Sequence, residues 1–234
     1  MEDRVDALKR QFFDSGPEEA LSWFLSEFVG KIAFSTSLGA EDQVITHMLA
    51  GLKQPVKIFT LDTGRFFQET YDILDITRKK YGMPIEVHFP DAARVEEMVN
   101  AKGINLFYES VENRRLCCHI RKIEPLHRAL EGMEVWITGL RQEQSVTRSG
   151  ASMVEWDASQ SILKLNPLVH WSNKTLWQYI SEKKIPVNEL HSQGFPSIGC
   201  MPCTRAVQPG EDVRAGRWWW ELPQNKECGL HKKT

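Results

Sequence analysis

The sequence predicts one α/β domain built on a mainly parallel sheet with helices on both faces, followed by a C-terminal tail. Short apolar runs alternate with amphipathic helical stretches through most of the 234 residues, the pattern of parallel strands joined by helical crossovers. Hydrophobic residues make up 41% and charged residues 26%, as in an ordinary globular chain of one sizeable domain. From Ile185 onward the periodicity gives way to loop-like sequence rich in Gly and Pro. No internal repeat, low-complexity tract or linker interrupts the chain. We therefore expect one domain over 1–234, with 205–234 as its tail.

In chain order, Leu21, Phe24, Leu25 and Phe28 recur at helical spacing, behind an expected cap at Ser15 with Pro17 and Glu18 in the first turn. "KIAFSTS" (31–37) reads as a buried strand, and Val44, Ile45, Met48 and Leu49 mark the helix after it. "VKIFTLD" (56–62) is the second strand, and "TYDILDITRKKYG" (70–82) a helix stopped by Gly82 and Pro84. "IEVHFP" (85–90) and "AARVEEMVNAKG" repeat the pair. Residues 109–131 look helical, "VWITGL" (135–140) is a fourth strand, and "SILKLNPLVHW" (161–171) reads as extended. Ser172 then caps the helix "NKTLWQYISEKK".

Ligands of such a sheet bind beyond the C-terminal strand ends. "STSLGAED" (35–42), "LDTGRFFQET" (61–70) and "TGLRQEQSVTR" (138–148) fall there. The first could cradle a phosphate with its small hydroxyl residues and Gly39. It lacks the Gly-Lys-Ser/Thr ending of a Walker loop, and Glu41 and Asp42 would repel an anion. Gly64 and Gly139 would let backbone approach a ligand. A plain capped turn at each position is the competing reading.

Composition narrows the partners. The net charge is −2, without the basic excess of a protein that lives on nucleic-acid phosphates. "MEDRVDALKR" at the N-terminus lacks the apolar core of a signal peptide, and no apolar run approaches a membrane span. The expectation is a cytoplasmic chain with neither nucleic-acid nor membrane partners. In that reducing compartment, five cysteines are not a disulfide framework.

Four of them form two pairs. "RRLCCHIRK" (114–122) holds Cys117 and Cys118, and "IGCMPC" (198–203) holds Cys200 and Cys203 at C-x-x-C spacing. Four sulfurs suit zinc or an iron–sulfur cluster. Adjacent helical residues point about 100° apart, which is awkward for one tetrahedral ion and easier for a cubane with several iron corners. Buried free thiols are the bland alternative. Cys228, in the terminal "ECGLH", stands apart among Lys226, His231, Lys232 and Lys233. Cations lower a thiol pKa, which suits a nucleophile; an idle tail thiol is the other reading. Arg214 and Arg217 in "DVRAGRWWW" have helical i, i+3 spacing and could face one anion. Trp218, Trp219 and Trp220 read as packing.

Taken together, "CC" with "RK" behind it, "GLRQEQSVTR", "NPLVHW", "FPSIGCMPC", "RAGRWWWE" and "ECGLH" resemble the assimilatory sulfonucleotide reductases. The likeness runs from about Lys31 to His231 and is to the cluster-containing adenosine 5′-phosphosulfate (APS) reductase branch. It implies the adenine-nucleotide α-hydrolase fold and one [4Fe–4S] cluster per subunit on Cys117, Cys118, Cys200 and Cys203. It also implies Cys228 as catalytic nucleophile. Lys122, Arg214, Arg217 and His231 match the family's phosphosulfate contacts. Ser35, Gly39, Leu61, Gly64, Gly139 and Arg148 fall in its nucleotide loops. "STSLGAED" is bulkier than the family's "SGAED".

The implied reaction is two-step. The Cys228 thiolate attacks the sulfur of APS and expels AMP, with the cations offsetting charge on the departing phosphate. Thioredoxin, or a glutaredoxin-like donor, then frees sulfite from the sulfocysteine. The alternatives are a reductase of the 3′-phosphorylated substrate (PAPS) or of both substrates, an iron–sulfur tRNA-thiolating enzyme of related fold, and a zinc-stabilised binding module. Whether the chain works alone or as a homo-oligomer is open at this stage.

Overall fold

The computed structural model describes residues 2–145 and 148–222. Helices α1 (Glu2–Gln11) and α2 (Pro17–Glu27) precede strand β1 (Ile32–Ser35). Then follow α3 (Ala40–Leu52), β2 (Lys57–Leu61), α4 (Gln68–Tyr81), β3 (Glu86–His88) and α5 (Ala92–Lys102). Helix α6 (Val111–Cys118), a π-helical turn (His119–Ile123) and α7 (Glu124–Leu130) form one continuous helical stretch. After it come β4 (Val135–Ile137), β5 (Val154–Asp157), β6 (Ile162–Leu165) and α8 (Asn173–Lys183).

Among the described residues six strands form one sheet in the order β3-β2-β1-β4-β6-β5. The pairs β1–β2, β1–β4 and β4–β6 are parallel, and only the edge pair β5–β6 is antiparallel among the registers resolved. The predicted mainly parallel sheet is therefore present. Its central strands are buried on both faces, as Phe34 and Ala33 in β1 and Ile137 and Trp136 in β4 illustrate. Period 2 fails as a signal in such strands, and the apolar run replaces it. Ile32, Phe34, Ile58, Val135, Ile137, Leu163 and Leu165 join α1, α2, α3 and α8 in one apolar core.

By its internal contacts the chain divides into two compact units. The first comprises 1–60, 69–86 and 132–189; the second comprises 61–68, 87–131 and 190–234. No described helix is long and apolar enough to cross a membrane.

Several local expectations shift. The N-cap of α2 is Gly16, without a side-chain cap, and Pro17 begins the helix; Ser15 ends the preceding turn instead, its N–H donating to Phe12 O at 3.4 Å. Ser172 caps α8 as predicted, accepting from Thr175 N. The stretch 161–171 is extended only over β6, after which Val169 N returns to Asn166 O at 3.1 Å in a turn.

Helix α3 stops at Lys53, whose φ of 55° is left-handed, a conformation that is unfavourable with a Cβ present. Lys53→Gly should therefore raise stability by up to about 1 kcal/mol. A urea midpoint that rises at constant m value is the expected result, and a lower midpoint would contradict it.

Candidate functional site

Cys117, Cys118, Cys200 and Cys203 come together in the second unit. Ser110 caps α6 by accepting from Asn113 N at 3.1 Å, and Cys117 and Cys118 occupy the last two positions of that helix. The π turn that follows adds a residue to the helical turn, a feature frequent at functional sites, and it carries Arg121 and Lys122. Cys200 and Cys203 bracket a 3₁₀ turn in which Cys203 N donates to Cys200 O at 2.9 Å.

An antiparallel clasp fixes that turn. Thr204 bridges Arg217, Trp218 N donates to Cys203 O at 3.1 Å, and Arg205 N donates to Gly216 O at 3.0 Å. A Cβ on Gly216 would sit 2.2 Å from Arg205 O, and one on Gly199 2.3 Å from the Arg217 guanidinium. Close approach of backbone dictates the first glycine, and the second lies under the Arg217 guanidinium.

The loop after β2 completes the wall. Asp62 N donates to His88 O at 3.0 Å, Gly64 has φ 69°, and its N–H donates to Asp62 Oδ1 at 2.7 Å. Arg121 Nη1 donates to Thr63 O at 2.7 Å, and the Thr63 hydroxyl lies 3.2 Å from Cys200 Sγ. Met201 N donates to Arg65 O at 2.8 Å. Thr63 was not singled out in sequence; its only signal is a hydroxyl beside a turn glycine at a strand end.

All four cysteines line one cavity with about 400 Å³ of space not filled by atoms, part of it open to solvent. Arg65, Arg114, Arg121, Lys122 and Arg217 line it too, and no acid among the described residues does. Burial first, then the neighbouring cysteine charges, pushes the Cys203 thiol up to about 12, against the pull of Arg217 and Lys122. Burial likewise raises Cys117, opposed mainly by Arg121. Such thiols are poor nucleophiles, whereas a coordinated metal would deprotonate them outright. Yet no group of three or more His, Cys, Asp or Glu among the described residues is gathered to hold a single ion. A lone tetrahedral ion needs its sulfurs about 2.3 Å from one point, whereas a cluster offers several metal corners. Arg121 Nε, Arg217 Nε and Trp218 Nε1 are buried without a hydrogen-bond partner among the described residues. These three orphan donors belong to cavity-lining residues and fit a missing acceptor there.

The structure sorts the predicted anion contacts. Lys122 and Arg217 line the cavity; Arg214 is not among its lining residues, and its carbonyl accepts from Arg217 N at 2.9 Å. Trp218, read as packing, is buried at the cavity wall. Cys228 and His231 lie outside the described residues. Leu61 ends β2, next to the Thr63 loop.

Ser35, Gly39, Gly139 and Arg148 belong to the first unit. The Ser35 hydroxyl accepts from Trp136 Nε1 at 2.8 Å. Gly39 is the extended N-cap of α3. Leu38 has φ 62° and is buried, so the extra bulk of "STSLG" turns inward. The two acids that seemed hostile to an anion are internal. Arg141 grips Glu41 through Nε at 3.0 Å and Nη2 at 2.8 Å. Asp42 accepts from Ser37 N at 2.6 Å and Ser37 Oγ at 2.7 Å. A Cβ on Gly139 would fall 2.1 Å from Asp42 Oδ1. Arg148 donates to Gln144.

Comparison with known proteins follows the same lines. The family profile described as "Phosphoadenosine phosphosulfate reductase domain" matches residues 31–206. A protein of Allochromatium vinosum named adenosine 5′-phosphosulfate reductase is 51% identical over 86% of this chain and 79% of its own. One of the same name from Burkholderia cepacia is 49% identical over 92% and 86%. The crystal structure of phosphoadenylyl-sulfate (PAPS) reductase from Candida auris, in a phosphate complex, aligns with TM-score 0.77 at 28% identity over 88% of this chain and 98% of that one. Candida glabrata FMN adenylyltransferase with ATP aligns with TM-score 0.58 at 14% identity over 95% and 75%, a likeness of fold alone.

Burial raises the Asp42 pKa to about 7, with the Ser37 hydrogen bonds opposing and Glu41 adding to the rise. An unfolded aspartate titrates near 3.9. Between those values the folded chain holds the extra proton, so stability due to Asp42 falls as pH climbs from about 4 to 7. Asp42→Asn keeps an acceptor for Ser37 and abolishes this titration. Its stability relative to the parent should improve between pH 5 and pH 8 by a few kcal/mol, roughly. Thermal melts giving one constant difference at both pH values would contradict the assignment.

Proposed function

Because the chain belongs to the phosphoadenosine phosphosulfate reductase domain family, we propose that it reduces APS to sulfite and AMP, with thioredoxin or a glutaredoxin-like protein as donor. The observation that carries the reading is the cavity where four cysteines meet five cations, with no acid among the described residues. The names of the Allochromatium and Burkholderia relatives support the choice of substrate. The orphan donors and the four cysteines lining one cavity support a [4Fe–4S] cluster, one per subunit, on Cys117, Cys118, Cys200 and Cys203. When bound, the cluster supplies fixed charge and a clamp between two chain segments, while the electrons come from the thiol donor.

The chain's own residues do the rest. Lys122 and Arg217 draw the anionic phosphosulfate to the cavity, with Arg214 and His231 as further cations from the tail segment. Ser35, Gly39, Leu61, Gly64, Gly139 and Arg148 serve the nucleotide. The Cys228 thiolate attacks the sulfur; an S–S bond forms, the S–O bond to phosphate breaks, and AMP leaves with the electron pair. Arginine and lysine charge stabilises the phosphate oxygens as that bond lengthens. A donor thiolate then attacks Cys228 Sγ, forming a mixed disulfide and releasing sulfite, and the donor's second thiol restores Cys228. Thiol-driven chemistry of this kind fits a reducing cytoplasm.

PAPS carries an extra 3′-phosphate of roughly −1.5 to −2 charge, which needs a cation of its own once desolvated. The three arginines of the nucleotide loops are engaged within the fold. Arg65 donates to Ile104 O at 2.9 Å and Asn105 Oδ1 at 3.0 Å, Arg141 grips Glu41, and Arg148 holds Gln144. That favours APS over PAPS.

Three measurements test the reading. Anaerobically purified protein should be brown, with about four irons and four sulfides per chain; stoichiometric zinc without sulfide in active protein would overturn the cluster. Cys228→Ser should keep colour and nucleotide binding yet make no sulfite, and normal turnover in it would reject the nucleophile. kcat/KM should be at least about tenfold higher for APS than for PAPS, a margin worth ~1.4 kcal/mol. Equal efficiency would reject the specificity argument.

A further inference from the structure

The described chain ends in a buried ion pair whose place in the fold is unusual. Arg114 Nε and Nη2 donate to the two carboxylate oxygens of Glu221 at 2.9 and 2.8 Å. The two side chains are only 1% and 2% exposed. Arg114 sits one helical turn before Cys118 on α6, an i, i+4 spacing that puts both on one face, and both line the cysteine cavity. Glu221 lies where the described chain gives way to the segment bearing Cys228. Between them the Trp218 ring is flanked by two guanidiniums, with Arg114 Cζ and Arg217 Cζ each 4.8 Å from its centroid. Glu221 N donates to Trp218 O at 2.8 Å and closes the turn.

A fork of two charge-assisted hydrogen bonds fixes direction as well as distance. Burial makes the pair costly to break, because either partner alone is left as an uncompensated charge. Such an arrangement does little for an exposed tail that needs only to be soluble. It does a great deal for one whose starting point must not wander.

We propose that Glu221, held by Arg114, is the positioning residue of the C-terminal segment: it pins the origin of the chain that carries Cys228 to the helix that carries Cys117 and Cys118. This rests on the assignment of Cys228 as nucleophile. Cys228 lies seven positions after Glu221, a reach of at most about 25 Å. The anchor thus confines the thiol near the cavity at an effective concentration in the mM range, on the order expected for a short tether. Losing the anchor widens that volume and disorders the approach to sulfur without touching the nucleotide loops.

The test uses the intact holoenzyme. Glu221→Gln removes the charge that faces the guanidinium; Glu221→Asp, one methylene shorter, keeps that charge and guards against a simple failure to fold. In both, iron content, visible spectrum and nucleotide affinity should match the parent. Formation of the S-sulfo adduct on Cys228 in a single turnover without donor should slow by about 10- to 100-fold. Discharge of the preformed adduct by dithiothreitol should be unchanged. Adduct formation at the parental rate with the chromophore intact overturns the proposal, and so does parallel loss of iron and nucleotide affinity, which would make the pair merely structural. If the parent itself forms no adduct, the nucleophile assignment fails instead. Hydrogen exchange at 217–222 then still reads the anchor: faster exchange in the variants supports it, and unchanged exchange removes it.

Discussion

The antiparallel clasp between 203–205 and 216–218 is the constraint on which the rest of the cysteine cavity depends. Its hydrogen bonds run Trp218 N to Cys203 O and Arg205 N to Gly216 O, so one ladder sets the C-x-x-C turn and the Arg217–Trp218 step together. Neither could be placed alone. Through Cys203 the turn also packs onto a small apolar cluster with Met98, Leu106, Phe107, Ile120 and Trp218, while Cys200 and Pro202 are half-buried and Met201 is exposed. The Arg217 guanidinium folds close over the bare backbone of Gly199. Backbone pairing and this cluster together hold the wall of the cavity.

Charge is handled in opposite ways in the two units. In the first, Glu41 and Asp42 are disarmed internally, one by Arg141 and the other by burial and the Ser37 hydrogen bonds. In the second, cations line the cavity with no acid among them, and Arg114 is compensated from behind by Glu221. Cations concentrated around a low-dielectric recess attract a polyanion and hold it with little reorganisation.

Much of this was legible in the sequence, and the losses have identifiable causes. Buried strands such as β1, β2 and β4 announce themselves as apolar runs, because both faces are covered. β5 does not: its four residues include two acids, and its pairing is fixed by a turn in which Asp157 accepts from Ser159 and Gln160, a local device with no periodicity. Helix α1, polar and charged, shows only Val5 and Leu8 to the core, with Phe12 buried just beyond its end. The π turn after Cys118 is invisible to a 3.6-residue template, although it carries Arg121 and Lys122. The cysteine pairs were readable from spacing, while Thr63 and Glu221 were not. Their roles arise from partners distant in sequence, and no local pattern encodes a distant partner.

The raised Cys203 pKa has a bearing on the life of the protein before it is complete. At pH 7 a thiol near pKa 12 exists as thiolate in only about one part in a hundred thousand. Thiol–disulfide exchange and attack by peroxide both proceed through the thiolate. Burial, which pushes this pKa up, therefore leaves the thiol slow in exchange and in oxidation for as long as it carries its proton.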